Sequence, residues 1–105
     1  TAGELVAPPS VERALRSLDT VSDALVVGLP DERWGQIVAA LIVPSPKGRA
    51  QASSMSADAL SEALREALAP WEKVRRIVVV DELPTTATGK PDPLAAAELF
   101  SASER

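Results

Sequence analysis

The chain of 105 residues has no cysteine, no histidine and no tyrosine. Without cysteine no disulfide can support the fold, and without cysteine or histidine the usual ligands of transition metals are missing. Any metal would therefore be a hard cation brought in by a bound ligand. Aromatic residues make up only 3% of the sequence, so the core must be built mainly from alanine, valine and leucine.

The sequence also lacks an excess of positive charge and a long apolar run. Its 11 basic residues stand against 15 acidic ones, which gives a net charge of -4. A nucleic-acid or anionic-membrane surface normally needs a basic stripe, and a membrane-spanning helix needs about 20 apolar residues. We therefore expect no nucleic-acid partner and no integral membrane segment. A cytoplasmic setting is expected from the lack of cysteine.

Apolar residues account for 46% of the chain. This content and length predict one small domain that folds by itself, and they are too small for most enzymes that bind two or three substrates.

The apolar pattern predicts a helix, two strands, a helix, a strand and a last helix. The first helix starts at Pro8 and Pro9 and has one apolar stripe, formed by Val11, Ala14, Leu15 and Leu18. Residues 22–29 and 36–43 predict an antiparallel pair of strands, joined by a polar loop that we expect Trp34 to hold in place.

The second half of the chain follows the same logic. Residues 44–56 contain proline, glycine and several serines, which predicts a mobile surface loop. Ser56 is the expected N-cap of a helix that Pro70 ends, with one apolar face formed by Leu60, Ala63, Leu64, Ala67 and Leu68. The acids Asp58, Glu62, Glu66 and Glu98 are expected to face solvent.

Residues 76–80 predict a buried strand, and Asp92 and Pro93 predict the start of a helix over residues 94–100, with a frayed tail from Ser101. The order of elements predicts an α+β fold: a small mixed sheet of about three strands, flanked by helices.

A polar run, TTATGK at residues 85–90, follows the last predicted strand and ends in Lys90. An ammonium on such a loop can reach an anionic ligand. A phosphate-binding loop is excluded, because that motif needs glycine five residues before Gly89 and serine or threonine after the lysine, where this chain has Pro84 and Pro91. Taken alone, a Gly-Lys pair is more often part of an ordinary surface turn.

The motif does not stand alone, however. The chain opens with GELVAPPSVE at residues 3–12, continues with VVGLPDERWG at residues 26–35 and has PTTATGK at residues 84–90. These three motifs, in this order, resemble the C-terminal domain of the adenylate-forming ligases, the acyl-CoA synthetase family. The resemblance covers nearly the whole chain.

The resemblance implies that residues 1–105 are a C-terminal lid domain, joined in cis to a large N-terminal adenylate-binding domain that lies outside this chain. The full enzyme would use ATP with Mg²⁺ to turn a carboxylic acid into an acyl-adenylate, and coenzyme A would then displace AMP. Lys90 would be the catalytic lysine of the first step, in a loop shaped by Thr86 and Gly89. This domain alone is expected to bind none of these ligands and to be inactive.

The resemblance further implies that the lid rotates after adenylation and presents a second face, around Gly3 and Glu4, to the thiol. Trp71 and Lys73 are further candidates for this thioesterification face. The family commonly has aromatic-Lys-x-Pro there, whereas this chain has WEKV at residues 71–74, with Glu72 at the lysine position. Other departures are serine for glutamate at position 10 and PDP at residues 91–93, after the lysine.

Two alternatives stay open. The chain could be part of a peptide-synthetase adenylation domain, in which a carrier protein takes the acyl group. It could also be a stand-alone binding or interaction module in which Lys90 is incidental. Fatty, aryl and short-chain acids are all possible substrates, because the resemblance places acyl selectivity in the large domain.

Overall fold

The structure is a computed structural model that describes residues 9–33, 35–69 and 72–103. Three strands and four helices follow one another within these residues. They are α1 (Pro9–Arg16), β1 (Val21–Asp31), β2 (Gly35–Pro44), α2 (Pro46–Ala50), α3 (Ala57–Ala63), β3 (Val74–Val79) and α4 (Pro93–Ser103), with a 3-10 turn (Ala52–Ser54) before α3. The predicted α+β fold, a small mixed sheet flanked by helices, is confirmed.

The sheet has the strand order β1-β2-β3, so that β2 lies in the centre. The predicted antiparallel pairing of β1 with β2 is confirmed, and it runs from Val21 opposite Pro44 to Asp31 opposite Gly35. β3 lies parallel to β2 on its other side. β1 extends through Pro30, which we expected in the turn; proline is tolerated there because β1 is an edge strand whose outer side needs no hydrogen-bond donors.

Helices cover both faces of the sheet, and each face has its own apolar cluster. The cluster between the sheet and helices α1 and α3 consists of Val11, Leu15, Val21, Ala24, Val26, Ala40, Ile42, Leu60, Leu64 and Val74. The cluster between the sheet and α4 consists of Leu25, Val27, Leu29, Ile37, Ala39, Leu41, Ala96 and Phe100. Successive residues of a strand point to opposite faces, so β1 and β2 are apolar almost throughout because both of their faces are buried.

The apolar stripe predicted for α1 is confirmed, with Val11 and Leu15 buried and Ala14 and Leu18 partly buried against the same cluster. The four acids expected in solvent are also exposed.

The prediction of a mobile loop over residues 44–56 is wrong. Ser45 caps α2, since its hydroxyl accepts a hydrogen bond from the Gly48 N–H at 3.1 Å. The same hydroxyl donates to the Asp19 carbonyl at 2.7 Å, and the Ser45 N–H donates to the Thr20 carbonyl at 3.0 Å. Gly48 is buried against that segment. The region is therefore a capped helix tied to the loop before β1.

Two other predicted elements, α3 and β3, differ in detail. α3 begins after its predicted N-cap, Ser56, but it ends at Ala63, earlier than predicted. Of its predicted apolar face, Leu64 is the last buried position, while Leu68 is half-buried and Ala67 is exposed. β3 is largely half-exposed instead of buried, because it forms an edge of the sheet.

The last helix, α4, continues through residues 101–103, where we expected a frayed tail. Pro8, Trp34 and Pro70 lie outside the described residues, and so do the predictions made for them. Within the described residues no helix is long and apolar enough to cross a membrane.

Candidate functional site

Residues 85–91 form a tight β-hairpin that follows β3, which we call the Lys90 hairpin. Its outer pair is the bridge between Thr85 and Pro91. Inside it, the Thr86 N–H donates to the Lys90 carbonyl at 2.7 Å, and the Gly89 N–H donates to the Thr86 carbonyl at 2.9 Å. This is the pattern of a three-residue hairpin loop that ends in a left-handed residue.

Gly89 takes that left-handed position, with φ of 88°. Glycine adopts such a φ without the penalty that a Cβ brings. The turn places Lys90 opposite Thr86, and the Thr86 and Thr88 hydroxyls lie 3.0 Å apart across the loop. Thr86, Gly89 and Lys90, which the sequence marked as one site, therefore belong to one hairpin.

The Lys90 side chain is exposed, and it forms no hydrogen bond or ion pair with any residue in the described part of the chain. Lys47 is different, because its ammonium lies 2.7 Å from an Asp19 carboxylate oxygen. An ammonium without an intramolecular partner remains available to an anion that approaches the hairpin. Its chemistry suits a phosphate or a carboxylate.

The hairpin stands on a fixed base. The Asp92 N–H donates to the Pro84 carbonyl at 3.0 Å, which closes the end of the hairpin. The Asp92 carboxylate then accepts the Ala95 N–H at 3.2 Å, and the Asp92 carbonyl accepts the Ala96 N–H at 3.1 Å. Asp92 is thus the N-cap of α4, as predicted, and one residue joins the hairpin to the helix.

α4 is in turn held against the sheet. Ala96 and Phe100 are buried, with exposed fractions of 0% and 1%. The Arg76 guanidinium of β3 lies 5.3 Å from the centre of the Phe100 ring and donates to the Phe100 carbonyl at 3.3 Å. The position of the hairpin is therefore set by the core of the domain.

The second candidate face lies elsewhere. Lys73 is exposed just before β3 and lines an open groove beside α3, together with Arg65, Arg75 and the acids Asp58 and Glu62. β3 separates Lys73 from the Lys90 hairpin, and its six residues span about 20 Å at 3.3 Å each. The structure therefore does not bring Lys73 to Lys90.

The other residues predicted for the thioesterification face, Gly3, Glu4 and Trp71, lie outside the described residues.

A contact that the sequence analysis missed joins two of the departures from the family pattern. The Ser10 hydroxyl donates to one carboxylate oxygen of Glu72 at 3.0 Å, and the other oxygen accepts the Ala69 N–H at 2.8 Å. The Glu72 N–H donates to the Ala69 carbonyl at 2.9 Å. Glu72 thus links the start of α1 to the turn before β3. The sequence shows that both positions depart from the family pattern, but it does not show that they meet, because 62 residues separate them.

Comparison with known proteins agrees with this architecture. The chain is 41% identical to a medium/long-chain-fatty-acid–CoA/3-oxocholest-4-en-26-oate–CoA ligase of Mycobacterium marinum, over 86% of the chain and 16% of the relative. It is 42% identical to a 4-chlorobenzoate–CoA ligase of Pseudomonas sp., over 84% of the chain and 16% of the relative. The chain thus spans about a sixth of the length of these relatives.

Among solved structures, the fatty acyl CoA synthetase of Mycobacterium tuberculosis superposes with a TM-score of 0.76 and 29% identity, over 98% of this chain and 19% of that one. The sequence profile of the AMP-binding enzyme C-terminal domain matches residues 10–90. That match covers most of the chain, from α1 to Lys90, and the chain therefore belongs to the AMP-binding enzyme C-terminal domain family.

Proposed function

We propose that this chain is the lid domain of an AMP-forming acyl-CoA ligase and that Lys90 is its adenylation lysine. The observation that carries the proposal is the exposed Lys90 ammonium, which has no ion-pair partner in the described part of the chain and stands on a hairpin anchored to the core. The names of the relatives, which are CoA ligases, support the same assignment.

In the first half-reaction, a carboxylate oxygen of the acid attacks the α-phosphorus of ATP, and the bond to the pyrophosphate oxygen breaks. The product is an acyl-adenylate. Negative charge develops on the phosphoryl oxygens, and Lys90 would stabilise it by placing its ammonium between the carboxylate and the α-phosphate. Mg²⁺ carried by the nucleotide would supply further positive charge at the leaving pyrophosphate. Thr86 and Gly89 would hold the hairpin in shape.

In the second half-reaction, the thiol of coenzyme A attacks the acyl carbon, AMP leaves, and the thiol proton passes to solvent or to a base. We propose that the lid first rotates and turns the face with Gly3, Glu4, Trp71 and Lys73 toward the reaction. The position of Lys73 supports this, since it lies at the opposite end of β3 from the Lys90 hairpin. A rotation would replace the Lys90 end of β3 by the Lys73 end at the reacting acyl group, and it would separate the two steps in time.

The test is the Lys90→Ala substitution in the full-length ligase, assayed one half-reaction at a time. We expect adenylation, measured as exchange of pyrophosphate into ATP, to fall by about 10²- to 10³-fold, the usual effect of removing one group that stabilises transition-state charge. Release of acyl-CoA from a preformed acyl-adenylate should stay near the wild-type rate, because Lys90 would be withdrawn in that step.

Lys47→Ala is the matched control, since it removes another exposed lysine of this domain, one that is paired with Asp19. It should leave both half-reactions unchanged. If Lys90→Ala exchanged pyrophosphate at the wild-type rate, the catalytic role would be rejected, and the chain would be better explained as a binding module. Supplying coenzyme A or a phosphopantetheine carrier protein to the wild-type enzyme would distinguish a CoA ligase from a peptide synthetase.

A further inference from the structure

Leu94 is the most exposed large apolar side chain in the described part of the chain. Its exposed fraction is 76%, compared with 47% for Val79 and 39% for Leu99. A single exposed leucine is common on protein surfaces, so its exposure alone indicates nothing. Its place in the fold is more informative, because it lies on the first turn of α4, four residues after Lys90.

Leu94 and Lys90 lie on two elements that hydrogen bonds join. The two hydrogen bonds of the Asp92 backbone, to Pro84 and from Ala96, join the hairpin to the helix on which Leu94 lies. Four residues of chain span at most about 14 Å between Cα atoms. A surface that receives Lys90 is therefore within reach of Leu94.

A contact patch of the expected size is large enough to include Leu94. A specific protein interface of standard size buries about 800 Å² on each side, which corresponds to a roughly circular patch with a radius of about 16 Å. A patch of this size centred on Lys90 would reach Leu94. In the proposed enzyme the large domain would supply the partner surface, because this chain spans only about a sixth of the length of the ligases that it matches.

We propose that Leu94 is an apolar anchor that docks the lid against an apolar part of the large nucleotide-binding domain while Lys90 is engaged in adenylation. This inference rests on the proposed function. It goes further in naming a residue, a surface and one orientation of the lid. When the hairpin withdraws for thioesterification, Leu94 withdraws with it, so the contact favours only the first half-reaction.

The test compares Leu94→Ser with Leu99→Ser in the full-length ligase. The two leucines lie on the same helix, about 140° apart around its axis at about 100° per residue. We expect Leu94→Ser to lower the rate of pyrophosphate exchange by about 10-fold, from the loss of a leucine buried at the interface. Its rate of acyl-CoA formation from a preformed acyl-adenylate should be unchanged. Leu94→Met, which keeps the apolar contact, should restore exchange.

Leu99→Ser controls for packing, because Leu99 is the more buried of the two. It should lower the thermal midpoint more than Leu94→Ser does, without changing the ratio of the two half-reaction rates. The docking inference is overturned if Leu94→Ser leaves that ratio unchanged, or if it changes the oligomeric state instead. The outcomes for the two proposals stay separate: if Lys90→Ala abolishes exchange while Leu94→Ser does not affect it, only the docking inference fails.

Discussion

At the scale of single residues, two glycines are required for different reasons. A Cβ at Gly89 would meet no atom within 4 Å, so the constraint there is the φ of 88°. A Cβ at Gly48 would instead overlap the backbone carbonyl oxygen of Thr20. The first position restricts backbone conformation, and the second restricts space.

We therefore predict that Gly89→Ala lowers the free energy of unfolding of the 105-residue chain by about 1–2 kcal/mol, the usual penalty for a left-handed residue with a Cβ. Gly48→Ala should lower it by more than about 3 kcal/mol, because backbone must move to relieve the overlap. Urea unfolding followed by circular dichroism would measure both. Equal losses for the two variants would contradict this explanation.

The pair formed by Asp19 and Lys47 makes part of the stability dependent on pH. The hydrogen bond from Lys47, and then its positive charge, lower the pKa of Asp19 from 3.8. A carboxylate with a lowered pKa in the folded state contributes stability above its unfolded pKa and loses it as the pH falls through the folded value. The effect is small, because the pair is exposed to solvent.

We expect the wild-type chain to melt at a slightly higher temperature than Asp19→Asn at about pH 6, and the difference to vanish near pH 2. Thermal melts across this range would show it. In a Lys47→Met background the Asp19→Asn substitution should have no pH-dependent effect. A difference that persists at low pH would mean that the Asp19 side chain does not act through its charge, since the backbone carbonyl that accepts from Ser45 is the same in both proteins.

At the scale of elements, the cap of α4 connects stability to the candidate site. Asp92→Ala removes the carboxylate that accepts the Ala95 N–H, and we predict a loss of about 1 kcal/mol in the free energy of unfolding. Asp92→Asn should keep most of the wild-type stability, since asparagine caps helices equally well. Chemical denaturation of the three proteins would test this. If Asn lost as much as Ala, the charge and not the cap would be responsible.

Some elements could be predicted from sequence and others could not, for physical reasons. The stripe of α1 and the apolar runs of β1 and β2 are long enough to show a period. α2 has five residues, fewer than two turns, and shows none. Its signal was the Ser45-Pro46 pair, an N-cap followed by proline at the first helical position, which the serines and glycine around it concealed.

At the scale of the whole molecule, the order of elements was predicted except for α2, but the partners of β3 were not. The apolar run of residues 76–80 indicates a strand, yet neither its parallel pairing with β2 nor its edge position follows from its own residues. The candidate site divides in the same way. Thr86, Gly89 and Lys90 are close in sequence and could be named together, although the sequence predicted a polar loop and not a hairpin. The contact between Ser10 and Glu72 depends on the folded chain.

The hydrogen bonds around Asp92 have one more consequence for the proposed ligase. Because they tie the Lys90 hairpin to α4 and thus to the core, we expect the hairpin to reach and leave the nucleotide by motion of the whole domain. The adenylation rate would then scale with the fraction of molecules in one lid orientation. A substitution far from the nucleotide could slow adenylation simply by depopulating that orientation.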